Sequence, residues 1–357
     1  MEENNQRRFF LKNVLSLLAF GAASTLSFRK NVGSKIGELT PTKAYPISNS
    51  STRIKKIAVE EHSNKEEIGR IDERLKEMDK AGIDIQVLSA TLMPNDKSTA
   101  TEAKTWARET NNAFAKIIDK YPDRFSAFAA IALHDPEEAA RELARAVTQL
   151  GFKGTLIGAE NRTFLDDHDY WVLLETAEKL DVPIYMHPKV PGKDMIGPYM
   201  KYPILSRSMW GFSAEAGLHA MRLILGGMFE KFPRLQIILG HLGENIPFQL
   251  WRLDNRWINE KNGKEGMFAA DPSAVNMKKK PSEYFKSNFF VTTSGMFWEP
   301  ALKLVHTAMG PDRILFAVDY NAESNVEAVK FIESVNLNNE DKEKICHGNA
   351  ERLLNLK

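Results

Sequence analysis

From Lys55 onward, short apolar runs rich in β-branched residues alternate with longer segments whose apolar residues recur every three or four positions. The short runs are Ile57–Glu60, Ile83–Ser89, Phe125–Ala132, Gly154–Ile157, Pro183–His187, Gln236–Gly240, Phe289–Thr293 and Ile314–Val318, and each predicts a β-strand. The longer segments, Asp72–Ala81, Glu102–Lys120, Pro136–Leu150, Tyr170–Leu180, Ala214–Phe232 and Glu299–Met309, predict amphipathic helices. Several of them end on glycine shortly before the next strand, at Ala81-Gly82, Leu150-Gly151 and Met309-Gly310. Strands apolar on both faces, each followed by a helix, predict a parallel sheet covered by helices. Eight such units favour a closed α/β barrel, the (β/α)8 TIM barrel, over an open doubly wound sheet. No G-x-G-x-x-G follows the first strand and no G-x-x-x-x-G-K-S/T occurs, so the phosphate-cradling glycine loops are absent.

The first fifty residues depart from this alternation. Arg7-Arg8-Phe9-Phe10-Leu11-Lys12 precedes an apolar stretch, Val14 to Leu26, and Arg29 and Lys30 follow it. A basic start and a short apolar core describe a secretory signal rather than a membrane helix. The arginine pair followed by Phe-Leu-Lys resembles a twin-arginine export signal, which implies a periplasmic or otherwise exported protein that folds before export. No small-x-small cleavage site stands out, so an uncleaved signal would leave an N-terminal membrane association. The alternative is an amphipathic helix packed on the body of a cytoplasmic protein. Residues 31–53, rich in Ser, Thr, Asn, Pro and Lys, read as a linker, and the barrel domain is expected over 54–357.

Composition narrows the chemistry. The chain of 357 residues is long enough for a barrel of roughly 250 residues. Its 48 basic and 47 acidic residues nearly cancel, so no nucleic-acid partner is expected. The single cysteine, Cys346, excludes an internal disulfide framework and a thiolate metal cluster. A metal site would have to use His, Asp and Glu.

Those residues collect after the strands, where a barrel carries its chemistry. The first strand ends Val59-Glu60-Glu61-His62, the fifth Met186-His187-Pro188, the sixth Gly240-His241-Leu242-Gly243-Glu244, the seventh Thr293-Ser294-Gly295 and the eighth Val318-Asp319-Tyr320. Strand alternation puts Glu60 and His62 on one face and Glu61 on the other. Glu60, His62, His187 and Asp319 can together surround one divalent cation, and this donor set suits Zn²⁺, Mn²⁺, Mg²⁺ or Fe²⁺ without choosing among them. Taken singly, His62 also reads as a loop residue, His187 as a turn histidine, Asp319 as a helix N-cap and His241 as a helix cap. Glu61 reads as a residue behind the site, and histidines 134, 168, 219, 306 and 347 as structural.

At these residues the sequence resembles the amidohydrolase-related decarboxylases, the group of γ-resorcylate, 2,3-dihydroxybenzoate and 5-carboxyvanillate decarboxylases. The matching segments are Ile57–His62, Tyr121–Phe125, Leu180–Pro188, Phe232–Glu244, Val291–Gly295 and Asp312–Phe316 running into Asp319. They cover essentially the whole chain after about residue 54. The resemblance implies that Glu60, His62, His187 and Asp319 ligate the metal. It also implies that His241 and Glu244 form a hydrogen-bonded pair beside the substrate, and that Arg252 supports Glu244. Glu-x-His in place of the hydrolytic His-x-His resembles the decarboxylating branch. The expected reaction is nonoxidative decarboxylation of a hydroxylated aromatic or related conjugated acid, with protonated Asp319 as proton donor. The alternative is a metal-dependent hydrolase of a lactone, ester or amide. The family's Asp-Trp-Pro-Phe-Glu is here Asp319-Tyr320-Asn321-Ala322-Glu323, which changes two positions that often line the pocket. The resemblance further implies a homodimer or homotetramer that takes a small-molecule carboxylate. Residues 189–211, with Met195, Tyr199, Met200, Tyr202, Met209 and Trp210, read either as a pocket loop for a flat substrate or as a contact with a neighbouring subunit.

Overall fold

The computed structural model describes residues 53–64, 69–90, 98–158, 164–264 and 277–356. The signal segment and all of the expected linker except Arg53 lie outside the described residues. Arg53 itself belongs to the folded body, since its guanidinium pairs with Asp84. No helix among the described residues is long and apolar enough to cross a membrane.

Eight parallel strands appear at the predicted runs: β1 (Ile57–His62), β2 (Ile85–Ser89), β3 (Phe125–Ala127), β4 (Thr155–Ile157), β5 (Ile184–Met186), β6 (Ile237–Leu239), β7 (Phe289–Thr292) and β8 (Ile314–Leu315). β1 to β3 form one continuous ladder and β4 to β8 another. Two seams join them into a ring. At the first, the Ala129 amide donates to Gly154 O (2.8 Å) and the Leu156 amide to Ala129 O (3.3 Å). At the second, the Val59 amide donates to Phe316 O (3.2 Å) and the Asp319 amide to Glu60 O (3.0 Å), with a bridge between Glu61 and Tyr320. β3 and β8 are shorter than their apolar runs. In the eighth, the Phe316 amide leaves the ladder and donates to Ile345 O (2.9 Å).

Period-two alternation separates two cores. Ile57, Val59, Ile85, Val87, Phe128, Leu156, Tyr185, Ile238, Phe290 and Leu315 form one buried cluster, which draws on seven strands and on Phe128 directly after β3, and fills the barrel. The intervening residues, such as Ala58, Leu88, Ile184, Ile237 and Val291, pack outward in a second cluster with helix residues such as Met78, Phe114, Leu143, Leu173, Leu223 and Leu302.

The helices that supply those residues start and stop where local chemistry dictates. They are α1 (Ile71–Ala81), α2 (Ala100–Lys120), α3 (Pro136–Leu150), α4 (Trp171–Leu180), α5 (Gly211–Leu225), α6 (Met228–Lys231), α7 (Ile246–Lys261), α8 (Pro281–Asn288), α9 (Glu299–Met309), α10 (Asn325–Ser334), α11 (Asn339–Glu343) and α12 (Asn349–Leu354). Thr99 and Glu102 make a reciprocal capping box on α2, and the Asp135 side chain caps α3. Gly82 and Gly151 close α1 and α3 in the left-handed conformation. The helix expected over Ala214–Phe232 is two helices, α5 and α6, interrupted at Gly226-Gly227.

β1 contains a consequential irregularity. Its register to β2 runs Ile57 to Ile85 and Ala58 to Gln86, then slips so that Glu61 pairs with Leu88 and His62 with Ser89. Val59 and Glu60 together stand opposite Val87. Strict alternation would send Glu60 outward if Ile57 and Val59 face in. The bulge absorbs one residue, so Val59 stays in the core and both Glu60 and His62 turn inward. Glu61 faces away, as the alternation of Glu60 and His62 predicts.

Candidate metal centre

Glu60, His62, His187 and Asp319 converge at the C-terminal end of the barrel. One donor atom from each lies within 4.8 Å of all the others. β1 supplies the first two, His187 follows β5 directly, and Asp319 follows the eighth strand run with its backbone at φ 74°.

Each donor is held from behind. His187 Nδ1 is 2.8 Å from Pro188 O, and a carbonyl can only accept, so Nδ1 carries the hydrogen and the Nε2 lone pair faces the centre. Burial, with the His62 ring beside it, pushes the His187 pKa down to about 3 and keeps this imidazole neutral. His62 Nδ1 is 3.2 Å from Ser89 Oγ. Its buried Nε2 lies 2.9 Å from Asp319 Oδ1 yet makes no hydrogen bond of acceptable geometry. Glu60 is fully buried, and its Oε1 likewise has no hydrogen-bond partner. Burial pushes the Glu60 carboxyl up, against the pull of His241 and His62. Two orphaned buried donor atoms, a neutral imidazole and two carboxylates fit one divalent cation, which would satisfy all of them at once.

Beside this group stands His241. Its Nδ1 is 2.6 Å from Glu244 Oε1, and its Nε2 faces Asp319 Oδ2 across 3.7 Å. Burial opposes a charge on His241, but Glu244, Asp319 and Glu60 outweigh it and hold its pKa well above the ordinary imidazole value. Burial likewise opposes ionisation of Asp319, and His241 and His62 outweigh that, holding it well below the usual carboxylate range. These opposed shifts favour the charged imidazolium of His241 facing the carboxylate of Asp319.

Residues His241, Leu242, Gly243, Glu244 and Asn245 all have positive φ, at 50°, 56°, 84°, 51° and 68°. This short left-handed turn places His241 and Glu244 three residues apart with their side chains in contact. Its Gly243 and Asn245 suit the conformation, while the other three residues adopt it at a cost of roughly 1–2 kcal/mol each. A Cβ on Gly295 would lie 3.0 Å from His241 Cδ2, so the seventh strand end leaves room for the ring.

Arg252 sits elsewhere. The buried stripe of α7 is Ile246, Pro247, Leu250 and Trp257. At 3.6 residues per turn Arg252 falls on the opposite side, where it is exposed beside Phe248 and Trp251. No hydrogen bond or ion pair joins it to Glu244 within the described residues. The expected support of Glu244 by Arg252 is not made among the described residues.

The sequence reading did not reach the hydroxyl groups behind the site, Tyr185, Thr292, Ser294 and Ser89. It placed Glu61 behind the site without its partners. Glu61 is fully buried, accepts from the Val318 amide (2.9 Å) and from Gln86 Nε2 (2.8 Å), and burial pushes its pKa up to about 8. Arg74 donates to Gln86 Oε1 (2.7 Å) and to His62 O (2.8 Å) and lies over the Tyr320 ring. Tyr320, where the sequence departs from the family's tryptophan, thus faces this outer network.

The arrangement predicts which substitutions empty the site. Glu60→Gln, His62→Asn and His187→Asn are each expected to weaken Mn²⁺ binding by on the order of 100-fold or more, beyond the 10–100-fold usual for residues behind a ligand. His241→Asn is expected to bind the ion nearly as the parent does. Titration followed by the electron paramagnetic resonance of free Mn²⁺ checks both, and unchanged binding by Glu60→Gln would remove it from the ligand set.

The profile of the amidohydrolase family matches residues 57–356. A γ-resorcylate decarboxylase of Polaromonas sp. (strain JS666) is 38% identical over 296 residues, 80% of this chain and 87% of that protein. A crystal structure of a dihydroxybenzoic acid decarboxylase of the same strain, with bound manganese and the inhibitor 2-nitroresorcinol, superposes with a TM-score of 0.76 at 34% identity, covering 85% of this chain and 98% of that one. The 5-carboxyvanillate decarboxylase of Sphingomonas paucimobilis gives a TM-score of 0.77 at 31% identity, covering 85% and 100%. With its eight-stranded barrel and the Glu-x-His strand at its mouth, the chain belongs to the amidohydrolase family.

Proposed function

We propose that the protein is a metal-dependent carboxy-lyase that removes CO₂, without oxidation, from a hydroxylated aromatic carboxylic acid. One observation carries this: Glu60 and His62 meet His187 and Asp319 beside the His241–Glu244 pair, in a chain 38% identical to a γ-resorcylate decarboxylase. Manganese is the proposed ion, supported by the manganese in the dihydroxybenzoic acid decarboxylase structure. Bound by the four residues, the ion supplies Lewis acidity beside the substrate's carboxylate and neighbouring hydroxyl.

The chain's own residues then handle the proton. Glu244 orients His241 through Nδ1 and stabilises its charged form. His241 Nε2 faces Asp319 Oδ2, so a proton passes from His241 to Asp319 and on to the ring carbon that bears the carboxylate. A C–H bond forms there. The bond to the carboxylate then breaks, its electron pair returns to the ring, and CO₂ leaves. Solvent restores the proton to His241.

Asp319→Asn is therefore expected to retain much of its metal while turnover falls by about 10²–10⁴-fold. CO₂ release from a panel of hydroxybenzoates, before and after chelation, measures this. Substantial turnover by metal-loaded Asp319→Asn would overturn the role of Asp319, and ring opening without CO₂ would favour the hydrolase alternative.

We also propose that the protein assembles with further copies of itself. In the loop over 189–211, Met195, Met200, Tyr202, Met209 and Trp210 are exposed and Tyr199 is half-buried, which suits a subunit contact better than the lining of an enclosed pocket. On α7 and just before α9, Phe248, Trp251 and Trp298 are exposed at 75%, 76% and 62%. Sedimentation velocity is expected to show a dimer or tetramer, reduced in order by Trp251→Ser. A monomer at micromolar concentration would exclude it.

The proposed site of action is outside the cytoplasm, on the strength of Arg7-Arg8-Phe9-Phe10-Leu11-Lys12. Cell fractionation should recover the protein from the periplasm and the Arg7→Lys, Arg8→Lys double variant from the cytoplasm. A cytoplasmic parent protein would overturn this.

A further inference from the structure

Glu60 offers its two oxygens to different partners. Oε1 faces the centre, 3.9 Å from His187 Nε2, with no hydrogen bond of its own. Oε2 accepts from the Tyr185 hydroxyl and lies 3.4 Å from Thr292 Oγ1. Tyr185 belongs to β5 and points into the barrel core, fully buried and packed on Phe128. A phenol in that position costs desolvation unless its hydroxyl finds a partner. Its partners here are Glu60 and Thr292 (3.1 Å).

The chain of hydroxyls continues. Thr292 Oγ1 is 2.6 Å from Ser294 Oγ, and Ser294 Oγ accepts the His241 amide at 3.3 Å. Glycine completes the enclosure, because a Cβ on Gly240 would stand 3.2 Å from Glu60 Oε2 and 3.4 Å from the Tyr185 hydroxyl. One continuous path of hydrogen bonds thus leads from the carboxylate of β1, through β5 and β7, to the backbone of the left-handed turn that carries His241.

We propose that Tyr185 is a positioning residue for the metal: its hydroxyl holds Glu60 Oε2 away from the centre, so that Glu60 presents Oε1 alone as donor. Thr292 and Ser294 tie that orientation to the seat of His241. The inference rests on the metal-centre reading above. Without the hydroxyl, Glu60 Oε2 loses its shortest contact, retains the weaker 3.4 Å contact with Thr292, and can rotate between one-oxygen and two-oxygen presentation.

Mn²⁺ binding to the parent, Tyr185→Phe, Glu60→Gln and the double variant tests this as a cycle. Phenylalanine keeps the buried ring, and circular dichroism establishes that each variant is folded. Tyr185→Phe is expected to weaken Mn²⁺ binding 10–100-fold and to alter the spectrum of the bound ion. In the Glu60→Gln background the same substitution is expected to change affinity less than threefold. A general loosening of the barrel would weaken both backgrounds equally, and that result overturns the inference. So does a folded Tyr185→Phe that binds within twofold of the parent. If Tyr185→Phe does not fold, Thr292→Val takes its place in the cycle, with an expected loss of the same sign and the same dependence on Glu60. If Glu60→Gln itself leaves binding unchanged, the metal-centre reading fails rather than this inference.

Discussion

The joint between the first strand and the last underlies both the fold and the site. Here the Val59 amide reaches Phe316 O, the Asp319 and Tyr320 amides reach Glu60 O, and the Val318 amide reaches the buried carboxylate of Glu61. Those bonds close the barrel across some 257 residues of sequence. They also bring Glu60 and His62 to Asp319. Closing the barrel and assembling the donor group are one event, and any ion bound there would tie the same two ends together.

The joint concentrates carboxyl groups where water is absent. Glu60 and Glu61 are both fully buried, on opposite faces of one strand. An isolated buried carboxylate is strongly disfavoured. Glu61 is compensated by an amide and by Gln86, which Arg74 steadies from outside. Glu60 is compensated at Oε2 by Tyr185 and left bare at Oε1. The asymmetry is the physical signature of a binding site: the protein satisfies the outward carboxylate completely and the inward one by half.

The strand–helix alternation was legible because the strands are apolar on both faces, and five of the eight runs lead into polar residues, so the runs and the four donors stood out together. The β1 bulge was not legible, since nothing in Ile57-Ala-Val-Glu-Glu-His62 separates a slipped register from a regular one. Tyr185 reads as one more apolar strand residue until its hydroxyl is seen to meet Glu60 across 125 residues. Ser294 became part of the site only once β6 and β7 lay side by side. Arg252 is a different case. Resemblance suggested a partner, while the buried stripe of α7, available from spacing alone, puts its side chain on the other face. The ionisation order of His241 and Asp319 depends on distances that no sequence pattern carries.

The left-handed turn from His241 to Asn245 bears on how the enzyme spends its time. Three of its residues stand uphill in backbone energy, and a relaxed loop would move them into right-handed wells through a reversal of φ. Such a reversal has no small version, so the imidazole cannot drift gradually out of alignment. The buried Leu242 and Ile246 side chains oppose that reversal. An arriving substrate therefore meets an imidazole whose orientation was settled during folding, with no reorganisation of that loop to repeat for each substrate.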